Sequence, residues 1–492
     1  MAVVVAAPGL GRPLGVAVAR REGRCRPLGV TVLGVPGPAQ DAGAGRRAWR
    51  CLGAETGGRP GAGEDGCVLA LRNSDFRLLW TGQLLSSLGS WLLLVAVPYQ
   101  VFELTGSPAA TGFAFAAQSA PAFVIGPAVG VAVDRWDRRR TMLVASLGQA
   151  GCVLPLAFVH RADQIAVVYL ALMAESALGQ FYQPAERALI PGMLGRADEL
   201  TSANALMAAS NAVTRLAGAS LGGVVFAAAG LPALVTIDVA TYVAVAVCLA
   251  LLRWRAAARP AAPGRDPRGV RAIVAEFGAG FRHLAACRPL WGLVAAAAAF
   301  LVGNGAFTAL LVPYSRLRLH GGPGDVGFLV AATGAGYLAG APLGRALYRH
   351  AVLRVLVAAS LLVTAAAYAA WFSVSKLDLA LILAAVTGMP AMVFLIARLT
   401  YLQQCTPDAV LGRVSAICLA AEALAGVAGT AVGGVLTGLA GYGWTVAAAA
   451  AAIAAGGLLA ARLVTGGSQP RARLRAASAA TSPPTGPVRP DP

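Results

Sequence analysis

From about position 78 onward the chain alternates between long apolar runs and short polar breaks. Leu78 to Val101, Met142 to Val159, Leu234 to Leu252, Leu290 to Val312 and Leu353 to Phe372 each approach the roughly 20 apolar residues an α-helix needs to cross a bilayer. Others are interrupted: Ala166 to Tyr182 contains Glu175 and Gln180, and Phe328 to Leu347 is dense in glycine. Hydropathy alone therefore predicts an all-α, polytopic membrane protein with about nine to twelve spanning helices.

An internal echo at a spacing of about 211 residues narrows that range. Arg77-x-x-Trp80 at the start of the first span returns as Arg288-x-x-Trp291 at the start of the seventh. Gly130-x3-Asp134-Arg135-x3-Arg139 after the second span returns in reduced form as Gly340-x3-Gly344-Arg345-x3-Arg349 after the eighth. Gly218-x3-Gly222-Gly223 in the fifth returns as Gly429-x3-Gly433-Gly434 in the eleventh. Each match is weak alone; three in one order at nearly one offset predict a duplicated six-helix unit. The expected organisation is a bundle over 71–252, a cytoplasmic loop over 253–287 and a second bundle over 288–465. Residues 1–70 and 466–492, rich in Gly, Pro, Ala, Ser and Arg without periodicity, read as disordered tails. The loop carries Pro260, Pro263 and Pro267, then Val270 to Leu284, which reads as a short interfacial helix.

Composition agrees, since 57% of residues are hydrophobic and only 13% charged, more apolar surface than a soluble fold covers. The net charge of +18 suggests nucleic acid until its positions are read. With the segment before the first span placed in the cytoplasm, only Arg161, Arg316, Arg318 and Lys376 fall outside and Arg215 falls within a span. The other 35 of the 40 Lys and Arg lie inside, which is the positive-inside pattern and puts both termini in the cytoplasm. Eight cysteines without a CxxC pair and four scattered histidines give no disulfide framework and no metal site, and no cofactor is implied.

At the junction of spans two and three, Gly130-Val131-Ala132-Val133-Asp134-Arg135-Trp136-Asp137-Arg138-Arg139 resembles the G-x-x-x-D-R-x-G-R-R loop of the major facilitator superfamily, with Asp137 at the usual glycine. Gly130 permits close helix approach, and Asp134 can accept hydrogen bonds from arginines or from a helix N-terminus of the opposite half, near Arg413. The resemblance implies a gating cluster of Gly130, Asp134, Arg135, Arg138, Arg139 and Arg413; the same arginines also fit simple topogenic anchors. Gly218-Ala219-Ser220-Leu221-Gly222-Gly223 is similar to the G-P-x-x-G-G antiporter signature with alanine for proline. Small residues at Gly218, Gly222, Gly223, Gly429, Gly433 and Gly434 equally suit tight helix packing. Leu104-Thr105-Gly106-Ser107, Phe181-Tyr182-Gln183-Pro184-Ala185, Leu189-Ile190-Pro191, Asn204-Ala205-Leu206 and Ile237-Asp238 resemble the branch holding macrolide and siderophore exporters. That branch implies twelve helices in two pseudo-symmetric bundles and proton-coupled efflux of a small organic compound.

Charges inside a membrane are costly and mark function. Glu175, Arg215, Asp238 and Glu422 are the candidates for proton coupling or substrate binding. Asp238 lies near its helix's outer end and Glu422 about two turns past an inner end, positions that also suit solvated or helix-pairing groups. Glu103 and Glu186 read as interfacial or gating groups near loops. The expected partners are lipid, protons and a small-molecule substrate, without nucleic acid, for a monomer in the cell membrane. An importer or lipid flippase on the same scaffold stays open; a membrane enzyme finds no convergent catalytic motif.

Overall fold

The computed structural model describes residues 69–125, 129, 136–194, 197–253, 278, 281–282, 284–406 and 408–464. Gly130, Asp134 and Arg135 lie outside the described residues, as do residues 1–68 and 466–492 of the two tails and most of Val270 to Leu284. The described residues hold helices α1 (Ser74–Thr105), α2 (Pro108–Val124), α3 (Arg138–Val153) and α4 (Ile165–Met193). Ala197–Leu251 is two helices merged at Gly230 (φ 70°), so 197–229 is α5 and 231–251 is α6. Then come α7 (Arg288–Leu317), α8 (Pro323–His350), α9 (Leu353–Ser373), α10 (Leu377–Cys405), α11 (Asp408–Ala440) and α12 (Tyr442–Leu463). Among the described residues ten helices are long and apolar enough to cross a membrane. That number counts Ala197–Leu251 once and omits the 17-residue α2; with these two restored the described residues hold twelve helices, the number a six-plus-six transporter bundle requires.

Local chemistry fixes the ends. Asn73 caps α1 by accepting from the Asp75 and Phe76 amides at 3.0 and 3.1 Å, Ser107 caps α2 with Pro108 behind it, and Asp137 caps α3 through the Arg140 amide at 2.8 Å. Opposite lie the turns between α5 and α6 and between α11 and α12. They pivot on Gly230 and Gly441, both at positive φ, where a side chain would be strained. These two glycines are also 211 residues apart, a fourth echo of the duplication.

One end of the bundle carries Arg138, Arg139, Arg140, Arg345, Arg349 and Arg354 and is the basic end; the far end carries Gly106, Gly230 and Gly441. Lipid tails are as apolar as leucine, so helices associate through close van der Waals packing rather than hydrophobic transfer. Within each half the glycine motif provides this. A Cβ on Gly222 would stand 2.5 Å from the Leu92 carbonyl oxygen of α1, and one on Gly433 would stand 2.5 Å from Ala306 Cα of α7. The next glycine in each copy faces the other half: Gly223 meets Pro323 and Gly324 of α8, and Gly434 meets Pro108 and Gly112 of α2. The halves thus join at the far end through two related crossings, α5 on α8 and α11 on α2. The second half is tied by an aromatic core in which Phe307 stacks on Tyr368 at 4.3 Å and Tyr314 donates to the Trp371 and Val374 carbonyls, each at 3.0 Å.

Candidate functional site

A polar cavity of about 560 Å³ runs through the first half from Trp91 and Tyr242 toward the basic end. Among the described residues its walls come from α1 to α6, and they bring together residues far apart in sequence. Tyr242 of α6 donates to Glu175 Oε1 of α4 at 2.7 Å, and Gln149 Nε2 of α3 donates to the same oxygen at 3.2 Å. Tyr242 has one hydroxyl proton and gives it to Glu175. Gln149 at 3.4 Å is then a donor to the Tyr242 oxygen, and Ser90 Oγ of α1, whose proton goes to the Ser86 carbonyl, lies 3.4 Å from the same oxygen. Side chains of α3 and α6 therefore converge as neutral donors on the carboxylate of α4, with α1 packed beside them. Among the described residues no cation pairs with Glu175.

Asp238 sits two turns into α6 from the far end and is 1% exposed. Thr241 Oγ1 bonds its backbone carbonyl at 2.7 Å and approaches its carboxylate at 3.5 Å, and Gly89 of α1 packs against it without room for a side chain. Tyr242 lies within electrostatic reach of both Asp238 and Glu175. Glu186 departs from the expectation of a loop-boundary group. It is 6% exposed, lines the polar cavity, and its Oε1 has no hydrogen-bond partner among the described residues. The loop reading failed because α4 runs on through Pro184 and Pro191 to Met193.

A second cavity, about 200 Å³, lies between the halves and is lined mainly by aromatic and aliphatic side chains. Arg215 of α5 enters it with its guanidinium 5.2 Å from the Trp91 ring of α1 and 5.2 Å from the Tyr337 ring of α8. This cation, the one the sequence placed within a span, is held between the halves by two π faces. Trp91 lines both cavities.

The remaining candidate charges form two ion pairs, one at the far end and one inside the second half. Glu103 of α1 and Arg316 of α7 form an ion pair across the far end, in keeping with a gating position for Glu103. Glu422 is paired through both its oxygens with Arg398 of α10, the side chains 16% and 13% exposed. Arg398 was counted with the cytoplasmic arginines and belongs instead inside a span, seven residues before the end of α10. Glu422 is deeper than two turns: α11 begins at Asp408, which puts Glu422 about 21 Å along it at 1.5 Å per residue. Sequence missed the pair because only the packing of α10 on α11 brings the two together; a conspicuous arginine before an apolar helix's end was the available signal.

Of the motif after α2, Arg138 donates to the Ala188 carbonyl at 2.6 Å, and Arg139 donates to the Leu249 and Ala250 carbonyls at 2.7 and 2.5 Å. Both guanidiniums thus hold the start of α3 against carbonyls toward the basic ends of α4 and α6, the ends at which a helix carries negative dipole character. Arg413 lies in the second turn of α11; its expected contact with Asp134 falls outside the described residues.

The family model described as transmembrane secretion effector (MFS_3) matches residues 66–481. Macrolide efflux protein A of Streptococcus pyogenes is 28% identical over 180 residues, which are 36% of this chain and 44% of that protein, so the chain matches less than half of that relative's length. Enterobactin exporter EntS of Shigella boydii is 27% identical over 366 residues, 74% of this chain and 84% of the exporter. A solved bacterial homologue of the iron transporter ferroportin in an inward-facing state has a TM-score of 0.64 at 14% identity, covering 80% of this chain and 99% of that one. A bacterial homologue of the lysosomal transporter Spinster, inward-facing and unoccupied, has a TM-score of 0.59 at 15% identity, covering 80% and 94%. These likenesses identify the fold, and the family match covers most of the chain, which belongs to the transmembrane secretion effector family of the major facilitator superfamily.

Proposed function

We propose that the protein is a secondary transporter that exports a small organic compound in exchange for protons, by alternating access between two six-helix units, 71–252 and 288–465. The observation that carries this reading is the paired far-end crossing, Gly223 on Pro323 and Gly434 on Pro108, above cavities that extend to mid-membrane. Two equivalent seams related by a duplication can open and close by rocking one half against the other. The positive-inside pattern of the sequence supports a cytoplasmic basic end and cytoplasmic termini, with the paired glycine crossings on the opposite side.

Glu175 is the coupling group in this reading. An ionised carboxylate held by neutral donors in a membrane interior is costly, and a proton removes the charge. Asp238 stands close enough to share the role, and Glu186 offers a second acceptor in the same cavity. At the cytoplasmic face Asp134 with Arg413 forms the gate that closes when the far end opens, Arg138 and Arg139 holding α3 in place for it. Export over import rests on the likeness to a macrolide efflux protein and an enterobactin exporter.

The test uses everted membrane vesicles from cells with and without the protein, and a panel of labelled organic compounds. At least one should accumulate only where the protein is present and be released by an uncoupler. Accumulation indifferent to the proton gradient removes the coupling; no protein-dependent accumulation across a broad panel removes the exporter.

A further inference from the structure

The cavity between the halves has an unusual balance of polar groups. Among the described residues its lining contains one charged residue, Arg215, and no carboxylate. Among the described residues no acid forms an ion pair with Arg215, and its Nε is buried without a hydrogen-bond partner. A buried cation ordinarily has a counter-ion, since desolvating it alone is expensive; here two π faces stand in. The other polar group of note is Asn304 of α7. Its Oδ1 accepts the Tyr368 hydroxyl proton at 2.7 Å, which leaves the amide nitrogen as a donor. Thr308 and Thr333 donate their hydroxyl protons to their own helix carbonyls, each at 2.9 Å. Arg215 and the Asn304 amide are thus the donors this lining offers beside the partnerless indole N–H of Trp371, in walls otherwise supplied by Trp91, Phe307, Tyr368 and their neighbours.

We propose that this cavity is a subsite for a planar aromatic group bearing an anionic substituent, a carboxylate or phenolate, with the anion on Arg215 and Asn304 and the ring among the aromatic walls. The inference rests on the transport reading only for its use, since it names the part of a cargo that the cavity takes. Size sets the limit. A dry apolar cavity of about 150 Å³ accepts benzene, so about 200 Å³ holds one or two fused rings and not a large molecule. The remainder of a larger cargo would extend past Trp91, which walls both cavities, into the polar one. The bound anion supplies the counter-charge Arg215 lacks, and because Trp91 and Tyr337 belong to opposite halves, occupancy is felt at their junction.

The experiment measures equilibrium binding to the purified full chain in lipid nanodiscs, using 2-naphthoate and its neutral isostere 2-naphthylmethanol, with no transport required. The wild type should bind the anion at least about tenfold more tightly than the alcohol, the scale of a charge-assisted hydrogen bond. The preference should vanish in Arg215→Gln and survive in part in Arg215→Lys. Thermal unfolding without ligand shows that each variant is folded; if Arg215→Gln is not, Asn304→Leu replaces it and should lower the preference. Equal affinity for anion and alcohol, no naphthoate binding to the wild type, or a preference unchanged in a folded Arg215→Gln would each overturn the subsite. Charge-selective binding without cargo movement across a bilayer would instead sustain the subsite and overturn the transport reading.

Discussion

Gly434 of α11 lies so close to Pro108 of α2 that a Cβ added to it would stand 2.7 Å from the Pro108 carbonyl oxygen. The duplicated Gly223 occupies the same kind of place against Pro323 of α8. A side chain at either position wedges the seam between the halves.

Gly434→Leu and Gly223→Leu should therefore keep the far end from closing. Overpacking costs of about 1–3 kcal/mol correspond to a loss of about fivefold to 150-fold in transport, with membrane insertion unchanged. Gly438→Ala is the control, because nothing lies within 4 Å of an added Cβ there. Vesicle transport compared with the amount of inserted protein checks this; full activity in both leucine variants would show that the seam need not close.

The pair of Glu422 with Arg398 makes a stability prediction. Glu422→Gln leaves Arg398 without its carboxylate in a largely buried place, and breaking a buried pair on one side costs about 3–5 kcal/mol. Thermal unfolding in detergent should show a marked fall. The double variant Arg398→Met with Glu422→Leu should recover most of it, because both desolvated charges are gone. A Glu422→Gln protein as stable as the wild type would mean that water reaches the pair.

The ion pair of Glu103 with Arg316 is more exposed, at 36% and 40%, and contributes under about 1 kcal/mol to stability. Its effect should be on gating: Glu103→Arg alone or Arg316→Glu alone places like charges across the far end and slows transport, and the two together restore it. Initial transport rates in the three proteins decide the matter; a double variant no better than the singles would assign the effect to something other than the pair.

Tyr242→Phe removes the shorter hydrogen bond to Glu175. A hydrogen bond to a charged group is worth about 1.5–3 kcal/mol, so proton-driven uptake should fall about tenfold or more. Exchange of cargo for cargo, which needs no net proton movement, should continue. Equal losses in both modes would make Tyr242 a structural residue.

What the sequence disclosed follows from which interactions are local. The helices were legible because runs such as Leu290 to Val312 must be apolar to lie in lipid, and the 211-residue echo of Gly218, Gly222 and Gly223 in Gly429, Gly433 and Gly434 resolved their number. That echo extends to Gly230 and Gly441, whose positive φ is a backbone property that spacing alone does not announce. Arg215 and Glu175 stood out as charges within spans. Their surroundings did not, because the Glu175 network draws on α1, α3, α4 and α6 and the Arg215 sandwich on α1 and α8, pairings set by tertiary packing. Arg398 was hidden for the same reason, since its distance from a helix end resembled that of a topogenic arginine until Glu422 was placed beside it.

Proton movement itself tests the central claim most directly. Purified protein in liposomes with an internal pH dye, given a gradient of a cargo found in the vesicle panel, should move protons against the flow of cargo. In Glu175→Gln the pH signal should disappear while cargo exchange persists. Cargo movement by the wild type with no accompanying pH change, or a pH signal unaltered in Glu175→Gln, would contradict a carrier coupled to protons through Glu175.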